Sequence, residues 1–528
     1  MTQGDSYRQM TPQRLSDLDE PERSSRFARL QERMPAVWDA TRLNLEDESV
    51  VVLPSVKLDP AVPGAGSLAQ AFEERFLFLL LLLRQPRLRM IYVTSMPIKP
   101  NIVEYYLALL PGVIPSHAMA RLTLVSIDDS SPRPLSDKLL DRPRLLKKIA
   151  AQIPNRQRCH LIPYNATALE RDIALTLDIP MYGPDPRLAD LGTKSGCRRL
   201  FAEERVPHPL GVEDLHSFEE VTDAILAMLK ERPCIGEVIV KLNEGVSGSG
   251  NALVDLRGIA DIDDADGRSQ VAQRVRSMQL ESAFTSLAAY EARFEQNGGI
   301  VEERIVGEEL LSPSVQLRIL PDRRVELLST HDQLLGGASG QSYLGCIFPA
   351  DPAYSRLISE PAITIGERLA KEGAIGRFAI DFVVVRGSAG DWSAYAIELN
   401  LRRGGTTHPF LTLQFLTGGT YDGATGRFLL PSGAKRHLVA TDHLESSELR
   451  ALAIEDLFDI VARHGLHFDQ SRQTGVVFHM TSSLSEHGRI GLTAVADSSG
   501  EAMRVYNEAK QVLLAEAAVA REESTLPD

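Results

Sequence analysis

Two short apolar segments near residue 390 carry acidic and amide side chains at a spacing that suits metal binding. The segments 378–382 and 396–402 are rich in β-branched, aromatic and aliphatic residues, and 387–391 between them has the composition of a turn. This pattern predicts a β-hairpin. Because alternate side chains of a strand point to the same face, we expect Glu398, Asn400 and Arg402 to share one face.

The predicted turn also fixes which residues face each other. A turn centred between Ala389 and Gly390 places Asp381 opposite Glu398. Two carboxylates and an amide oxygen are costly to bury without a cation, and such oxygen ligands suit Mg²⁺ beside phosphates. The alternative is a solvated face of an ordinary hairpin, on which these residue types are common. This hairpin alone supports both interpretations.

A lysine followed by a loop of small residues forms a second candidate site. Lys241 ends the predicted strand 237–242, the Gly/Ser-rich segment 243–251 follows, and 252–255 is a further strand. Glycines let backbone N–H groups approach a polyanion, and a lysine neutralises phosphate charge. The loop is not a Walker motif, because GKS/T and a following helix are absent. The alternative is a flexible hairpin tip with a solvated lysine.

A third acidic stretch predicts a strand from Gly299, a turn at Gly307 and a second strand over 315–320. Glu309 could accept hydrogen bonds from ribose hydroxyls, and the backbone of 302–305 could meet an adenine edge. The alternative is the acidic solvent face of a hairpin.

The segments around these sites predict an α/β part followed by α+β parts. Predicted strands at 49–54, 89–94, 121–127 and 160–163 alternate with predicted helices at 64–85, 101–110, 135–150 and 168–177. This alternation indicates a Rossmann-like parallel sheet covered by helices, without a GxGxxG motif. Ser67 is a candidate cap of the first helix, and Asn101 with Glu104 resembles a capping box. Further helices are predicted at 269–294, 362–372, 448–464 and 498–522, with strands at 475–482 and 489–496.

Composition excludes several classes of function. A chain of 528 residues predicts two to four domains, and a net charge of −14 argues against a nucleic-acid binder. The four cysteines have no close pair, which predicts neither a zinc site nor disulfides and fits a reducing cytoplasm. The polar N-terminus lacks the apolar core of a signal peptide, and the apolar run 76–83 is too short to span a membrane.

The order of these pieces over residues 186–430 resembles the ATP-grasp superfamily. The resemblance rests on Lys194 opening a helix, Lys241 before the small-residue loop, the stretch 302–309, Asp381, and 398–402. It implies two α+β subdomains that clamp ATP behind a parallel α/β domain. Segments 92–98, 104–111, 475–480 and 490–493 are similar to peptide ligases of the pheganomycin type. The implied organisation is an arm (1–45), a pre-ATP-grasp α/β domain (46–185), an ATP-grasp domain (186–430) and a small α+β C-terminal domain (431–528).

The resemblance also implies roles for individual residues. The expected phosphate contacts are Lys194, Lys241 and the flap residues Ser247, Gly248, Ser249 and Gly250. The expected adenine hinge is Glu302, Glu303, Arg304 and Ile305, with Glu309 on the ribose. The expected Mg²⁺ ligands are Asp381, Glu398 and Asn400, and Arg402 is expected near the transferred phosphoryl group. The flap has Val246, Ser247 and Ser249 where the most glycine-rich family members have glycine.

The implied reaction joins a carboxylate to an amine at the expense of ATP. The acid would attack the γ-phosphate to give an acyl phosphate and ADP, and the amine would then displace phosphate. Arg318 and Arg403 are candidates to hold substrate carboxylates, the alternative for each being a surface ion pair. The loops around Gly248 and Gly340 are candidate lids. Amino acids or short peptides are the expected substrates, and a homodimer is expected by resemblance alone.

Two other functions remain open from the sequence. One is different ATP-grasp chemistry, such as a biotin-type carboxylase or a kinase-like enzyme. The segment 403–406, Arg-Gly-Gly-Thr, resembles ligases more than the Gln-Val-Glu-His continuation of biotin carboxylases. The other is a sensor that binds ATP without chemistry, against which the presence of Asp381, Glu398 and Asn400 argues.

Overall fold

The computed structural model describes residues 15–44, 46–58, 62, 64–245, 248, 250–259, 265–336 and 340–524. Its mixed α/β and α+β architecture is the predicted fold class. In these ranges no helix is both long enough and apolar enough to cross a membrane. The cytoplasmic location and the domain boundaries stay predictions.

The first part of the chain is a parallel sheet covered by helices, as predicted. Its strands are β1 (Ser49–Leu53), β2 (Arg89–Thr94), β3 (Leu122–Ser126) and β4 (Cys159–Pro163), in the order β3-β2-β1-β4. Its helices are α1 (Glu20–Gln31), α2 (Met34–Leu43), α3 (Ala65–Glu74), α4 (Pro100–Ala108), α5 (Pro115–Met119), α6 (Leu135–Leu140), α7 (Pro143–Gln152) and α8 (Ala168–Leu177). Strands β1 and β4 are buried along their whole length, which explains their continuous apolar sequences.

Two predicted helix caps in this part are wrong, although the helices begin within one residue of the predicted positions. Helix α3 is capped by Gly64, at φ +69°, rather than by Ser67, and it continues as a 3-10 helix over Arg75–Arg84. Helix α4 follows Lys99, which gives no side-chain cap, so the expected capping box at Asn101 is absent. Asn101 Nδ2 instead donates to Glu455 Oε1 at 2.5 Å. Asn101 therefore makes a tertiary contact, and so does Ser67, whose hydroxyl lies 2.8 Å from His487 Nε2.

The middle of the chain forms a five-stranded antiparallel sheet. Its strands are β5 (Gly211–Leu215), β6 (Glu237–Leu242), β7 (Asn251–Asp255), β8 (Gln279–Leu280) and β9 (Gly299–Glu303), in the order β5-β9-β6-β7-β8. Its helices are α9 (Lys194–Glu203), α10 (Phe218–Glu231), α11 (Ala265–Arg276) and α12 (Leu287–Asn297). The predicted single helix over 269–294 is wrong, because β8 separates α11 from α12.

A nine-stranded sheet occupies the rest of the chain. Its strands are β10 (Leu310–Leu311), β11 (Pro313–Ile319), β12 (Val325–Gly336), β13 (Ser342–Phe348), β14 (Gly376–Arg386), β15 (Trp392–Asn400), β18 (His437–Glu445), β19 (Gly475–His479) and β20 (Arg489–Ala496). The order is β10-β14-β11-β12-β13-β18-β20-β19, with β15 paired to β14. Outside it are the hairpin of β16 (Thr420–Asp422) and β17 (Arg427–Leu429) and the helices α13 (Pro352–Lys371), α14 (Thr407–Thr417), α15 (Ile454–Arg463), α16 (Leu484–His487) and α17 (Ser499–Ser524).

Two features of this sheet differ from a local interpretation of the sequence. Strands β9 and β11 belong to different sheets, so the predicted hairpin over 299–320 is wrong and residues 304–309 connect the two sheets. Strands β18 to β20 continue the same sheet as β11 to β15, because β18 pairs with β13. The segment after residue 431 therefore shares a hydrogen-bonded sheet with the residues before it.

Candidate functional site

The predicted hairpin of β14 and β15 is confirmed, with Asp381 opposite Glu398 and Ala379 opposite Asn400. A β-bulge follows immediately, since Phe382 pairs with Ala396 and leaves Ile397 as the extra residue. Nearer the turn Arg386 pairs with Trp392, so the turn is centred on Ala389 and the predicted centre between Ala389 and Gly390 is wrong; the bulge, which the local sequence did not predict, brings Asp381 opposite Glu398.

The two faces of β14 lie in different surroundings, one apolar and one polar. Phe378 and Ile380 point into a hydrophobic core that also contains residues of α13. Asp381, Ala379 and Arg377 alternate with them and therefore lie on the other face. On the neighbouring strand β11, Ser314 pairs with Asp381 and Arg318 pairs with Arg377. One sheet face thus carries carboxylates at one end and arginines at the other.

The carboxylate end is a connected polar network. Lys194 Nζ, at the start of α9, lies 2.5 Å from Glu398 Oε1. Asn400 Nδ2 donates to Asp381 Oδ2 at 2.9 Å, and Gln333 Nε2 donates to Asp381 Oδ1 at 2.8 Å. The structure therefore brings together four residues that the sequence singled out, and adds Gln333.

The two facing carboxyl groups are held in different electrostatic states. Burial, followed by repulsion from Glu398, raises the pKa of Asp381 to about 6. Burial alone would raise the pKa of Glu398 as well, but Lys194, Arg402 and Lys241 hold it below its usual value. Burial makes it costly to ionise both carboxyl groups together, which is the condition under which a bound cation is favourable.

A second buried ion pair lies on the five-stranded sheet. Lys241 Nζ on β6 pairs with Glu302 Oε1 on β9, and both residues are buried. Arg198 Nη1, from the same face of α9 as Lys194, lies 3.0 Å from Glu302 Oε2. Arg198 was not predicted, although its position one helical turn after Lys194 could have indicated it.

The expected adenine hinge coincides with the connection between the two sheets. Glu303 is buried and pairs with Arg232, and Arg304 Nη1 lies 3.0 Å from Glu237 Oε2. The backbone of Ile305 forms no hydrogen bond with the described part of the chain, so its N–H and C=O remain available. Glu309 is exposed and its Oε2 lies 3.1 Å from Arg386 Nη1.

The two candidate lids contact each other. Asn251 Nδ2, at the base of the flap, donates to Gln341 Oε1 at 2.6 Å. Gly248 has φ +81°, and a Cβ added there would lie 2.8 Å from the Gln341 carbonyl oxygen. Gly250 packs on Leu242, and the predicted flap residues Ser247 and Ser249 lie outside the described residues.

Of the predicted arginines, Arg318 lies at the other end of the face, and Arg402 and Arg403 lie just after the end of β15. Arg318 Nε donates to Glu326 Oε2 at 2.6 Å, and Arg402 Nη1 lies 3.5 Å from the Arg403 carbonyl oxygen. Arg403 is 6% exposed and donates through Nη1 to the Pro163 carbonyl oxygen on β4. The surface ion pair considered for Arg403 is therefore wrong, because its side chain is buried.

Another buried polar cluster joins distant parts of the chain. His479 Nε2 lies 2.7 Å from Asp442 Oδ1 and 3.0 Å from His408 Nε2, and Arg75 pairs with the other oxygen of Asp442. Burial alone would raise the pKa of Asp442, but Arg75 and the histidines hold it well below its usual range. Burial lowers the pKa of His408 to about 3. Although these are metal-binding residue types, Arg75 already neutralises the carboxylate, and we assign the cluster a structural role.

Comparisons with known proteins find similarity over most of the chain. A family model described as IQCH-like, ATP-grasp, matches residues 186–277 and 268–424, and one described as the PGM1 C-terminal domain matches residues 456–509. An L-propargylglycine–L-glutamate ligase from Streptantibioticus cattleyicolor is 29% identical over 453 residues, which are 84% of this chain and 89% of that protein.

Two further similarities are more distant. The IQ motif-containing protein H of Danio rerio is 23% identical over 80% of this chain, which spans 44% of that protein. A biotin carboxylase structure from Campylobacter jejuni is 15% identical, with a TM-score of 0.49, over 91% of this chain and 96% of that one. The family model over residues 186–424 and the ligase relative confirm the predicted resemblance to the ATP-grasp superfamily.

Proposed function

We propose that this protein is an ATP-dependent ligase that joins a carboxylate to an amine through an acyl phosphate. The expected substrates are amino acids or short peptides, in specialised peptide biosynthesis. The observation that carries this proposal is the network in which Asp381, Asn400, Glu398 and Lys194 meet on one sheet face. The ligase relative, similar over most of both chains, supports the choice of this reaction among ATP-grasp chemistries.

The donor set suits a magnesium ion. Asp381 and Glu398 offer carboxylate oxygens, and Asn400 offers an amide oxygen if its side chain turns its oxygen towards them. Burial, followed by repulsion from Glu398, raises the pKa of Asp381, and a bound cation would favour its ionised form. Bound Mg²⁺ would offset the charge of the ATP phosphates during transfer.

The remaining chemistry belongs to side chains and loops of this chain. Lys194 and Lys241 would neutralise phosphate oxygens, and Arg402 would stabilise the charge of the transferred phosphoryl group. To do so, Lys194 and Lys241 exchange their present carboxylate partners for phosphate. The substrate carboxylate oxygen attacks the γ-phosphorus and ADP leaves. The amine nitrogen then attacks the acyl carbon, phosphate leaves, and the amine loses a proton.

Water must be excluded between these two steps, because it would hydrolyse the acyl phosphate. The contact between Asn251 and Gln341 joins the flap to the loop after Gly340, which suits a cover over the site. The adenine would lie at the connection between the sheets, against the backbone of Ile305, with Glu309 on the ribose.

The test is a matrix of amino acids and dipeptides, offered as acid and as amine with ATP and Mg²⁺. ADP formation and the mass of the product are measured for the wild type, Glu398→Ala and the control Glu367→Ala, an exposed glutamate of α13. ADP formation that requires both substrates, yields the condensed mass and is lost in Glu398→Ala supports the ligase.

Other outcomes distinguish the alternatives. ADP formed with one acid and no condensed product would indicate another acyl-phosphate-forming enzyme. ADP formed with bicarbonate would indicate a carboxylase. ATP binding without any ADP formation would indicate a sensor. Each of these results contradicts the proposed ligase.

A further inference from the structure

A small cavity lies at the arginine end of the sheet face, where β14 meets the end of β4. Its enclosed part has a volume of about 10 Å³, room for one water-sized group such as a carboxylate oxygen, and the space of about 200 Å³ around it includes open solvent at its mouth. Its lining includes Pro163, Tyr164, Tyr182, Arg377, Arg402 and Arg403. One wall therefore comes from the parallel α/β part of the chain and the other from the nine-stranded sheet.

The cavity carries positive charge that the described residues do not neutralise. Arg377 stands directly opposite Arg318 across β14 and β11, a like-charge pairing that is unfavourable in the absence of an anion. Glu326 pairs with Arg318, but no carboxylate of the described residues pairs with Arg377, Arg402 or Arg403. The cluster thus has a clear excess of cationic groups.

Two guanidinium groups also have donors without acceptors. Arg377 Nη1 and Arg403 Nε are enclosed and have no hydrogen-bond partner in the described part of the chain. Burial, and for Arg377 also the charge of Arg318, lowers the pKa of Arg377 to about 9 and that of Arg403 to about 10. A buried guanidinium with an unused donor is costly, and an anion with two oxygens would satisfy it by a paired hydrogen bond.

Arg377 lies away from the residues that we propose to contact the nucleotide. Arg377 and Asp381 lie on the same strand and face, roughly 13 Å apart along β14 at the usual rise of a strand. Lys194 lies near Asp381, beside Glu398. Ile305, in the expected adenine hinge, follows β9 of the five-stranded sheet. A group bound by Arg377 is therefore separated along β14 from the network of Asp381, Glu398 and Lys194, and Arg402 lies between the two.

We propose that Arg377 and Arg403, with Arg318 behind them, bind a second carboxylate of the acid substrate, so that this enzyme activates short acids with two carboxylates. This inference rests on the proposed function and names its substrate class. One carboxylate lies towards Asp381, where it is phosphorylated, and the other is held in the arginine cluster. Arg377 is thus a specificity-determining residue that the sequence did not reveal.

The first experiment measures binding without catalysis. Calorimetry measures the affinity of the protein for glutarate, its monoamide, butyrate and inorganic phosphate. The proteins compared are the wild type, Arg377→Met, Arg377→Lys and the control Arg356→Met, which changes an exposed arginine of α13. Loss of one paired charged hydrogen bond predicts about tenfold or more weaker glutarate binding in Arg377→Met. Arg377→Lys is expected to recover part of it, because it keeps the charge but loses the fork. Thermal unfolding verifies that each variant is folded.

Equal binding of glutarate and its monoamide to the wild type would overturn the proposal. So would glutarate binding that Arg377→Met leaves unchanged. If inorganic phosphate binds more tightly than glutarate and binds less tightly to Arg377→Met, the cluster binds a phosphoryl group, and the proposal is overturned.

The second experiment measures substrate choice in the ligation assay. Aspartate, glutamate and 2-aminoadipate are compared with asparagine, glutamine and norvaline as acids, and Arg377→Met is expected to raise KM for the dicarboxylic acids more than it lowers kcat. Ligation of monocarboxylic acids at the same efficiency would overturn the substrate class while the ligase stands. Arg377-dependent glutarate binding without any ligation would contradict the ligase and support the site.

Discussion

Glu398 pairs with Lys194 while its register partner Asp381 is held by the amides of Asn400 and Gln333. The two carboxylates that face each other across β14 and β15 therefore have partners of different charge. The pKa of Glu398 is held below its usual value, whereas the pKa of Asp381 is raised to about 6.

Replacing Glu398 by alanine is expected to weaken Mg²⁺-dependent nucleotide binding by at least about tenfold, since a hard ligand is lost from the metal set. Calorimetry with a non-hydrolysable ATP analogue, with and without Mg²⁺, measures the effect. Glu367→Ala serves as the matched control. Equal Mg²⁺ dependence in wild type and Glu398→Ala would show that the carboxylate does not bind the metal.

Replacing Lys241 by methionine tests the second cation. The variant removes a buried positive charge, leaving Arg198 as the remaining partner of Glu302. We expect nucleotide affinity to fall by about tenfold, both with and without Mg²⁺, because the lysine acts on phosphate directly. Lys371→Met, at the exposed end of α13, is the control. A loss seen only with Mg²⁺ would instead assign Lys241 to the metal site.

Gly248 offers a test of the cover over the site. Gly248→Ala brings a Cβ within 2.8 Å of the Gln341 carbonyl oxygen, whereas Gly258, at φ +84°, has open space around it. The two alanine variants share the strain of a positive φ, but only the first disturbs the contact between the flap and the neighbouring loop. We expect Gly248→Ala to release more phosphate per amide bond formed, as water reaches the acyl phosphate. Identical ratios in both variants would contradict the lid.

The cluster around Asp442 predicts a large effect on stability. Asp442→Asn leaves Arg75 buried with a neutral partner and replaces one acceptor oxygen by an NH2 donor, so Arg75 and the two histidines compete for the remaining oxygen. Breaking a buried pair in this way costs about 3–5 kcal/mol of the free energy of unfolding. Chemical denaturation measures it, with Asp459→Asn on the exposed face of α15 as the control. A change below about 1 kcal/mol would refute the structural role.

Glu73 predicts a dependence of stability on pH. Burial raises its pKa to about 7, against the hydrogen bonds from Ser95. Because the folded pKa lies above the unfolded one, the folded state binds more protons between about pH 4.5 and pH 7, and its stability falls as pH rises through this range. Denaturation of Glu73→Gln at several pH values should show a flatter profile than the wild type. An unchanged profile would exclude Glu73 as the source.

Local patterns predicted what local geometry controls. The hairpin itself follows from strand alternation and a turn signal in one short segment, but the pairing of Asp381 with Glu398 also requires the bulge, which shifts the register by one residue. The extra residue Ile397 was not predictable, because the bulge leaves no mark in the alternation of side chains. The predicted hairpin over 299–320 was wrong for a related reason, since a sequence pattern identifies strands but not the sheet to which each strand belongs.

Residues whose roles depend on distant partners were missed. Arg377 is an ordinary strand residue until Arg318 is placed opposite it and Arg403 closes the cavity. His408, Asp442 and His479 come from three separate elements, and no spacing in the sequence connects them. Ser67 has the residue type of a helix cap, yet its hydroxyl contacts His487 at 2.8 Å, a residue far along the chain.

The position of β18 within the nine-stranded sheet has a consequence for synthesis on the ribosome. Its neighbours are β13, made much earlier, and β20, made last. Until β18 has emerged, β13 has a free edge with unpaired backbone groups, which is the kind of surface that attracts other chains. The nascent protein therefore carries an open sheet until β18 has emerged, and premature termination near residue 430 would release an aggregation-prone fragment.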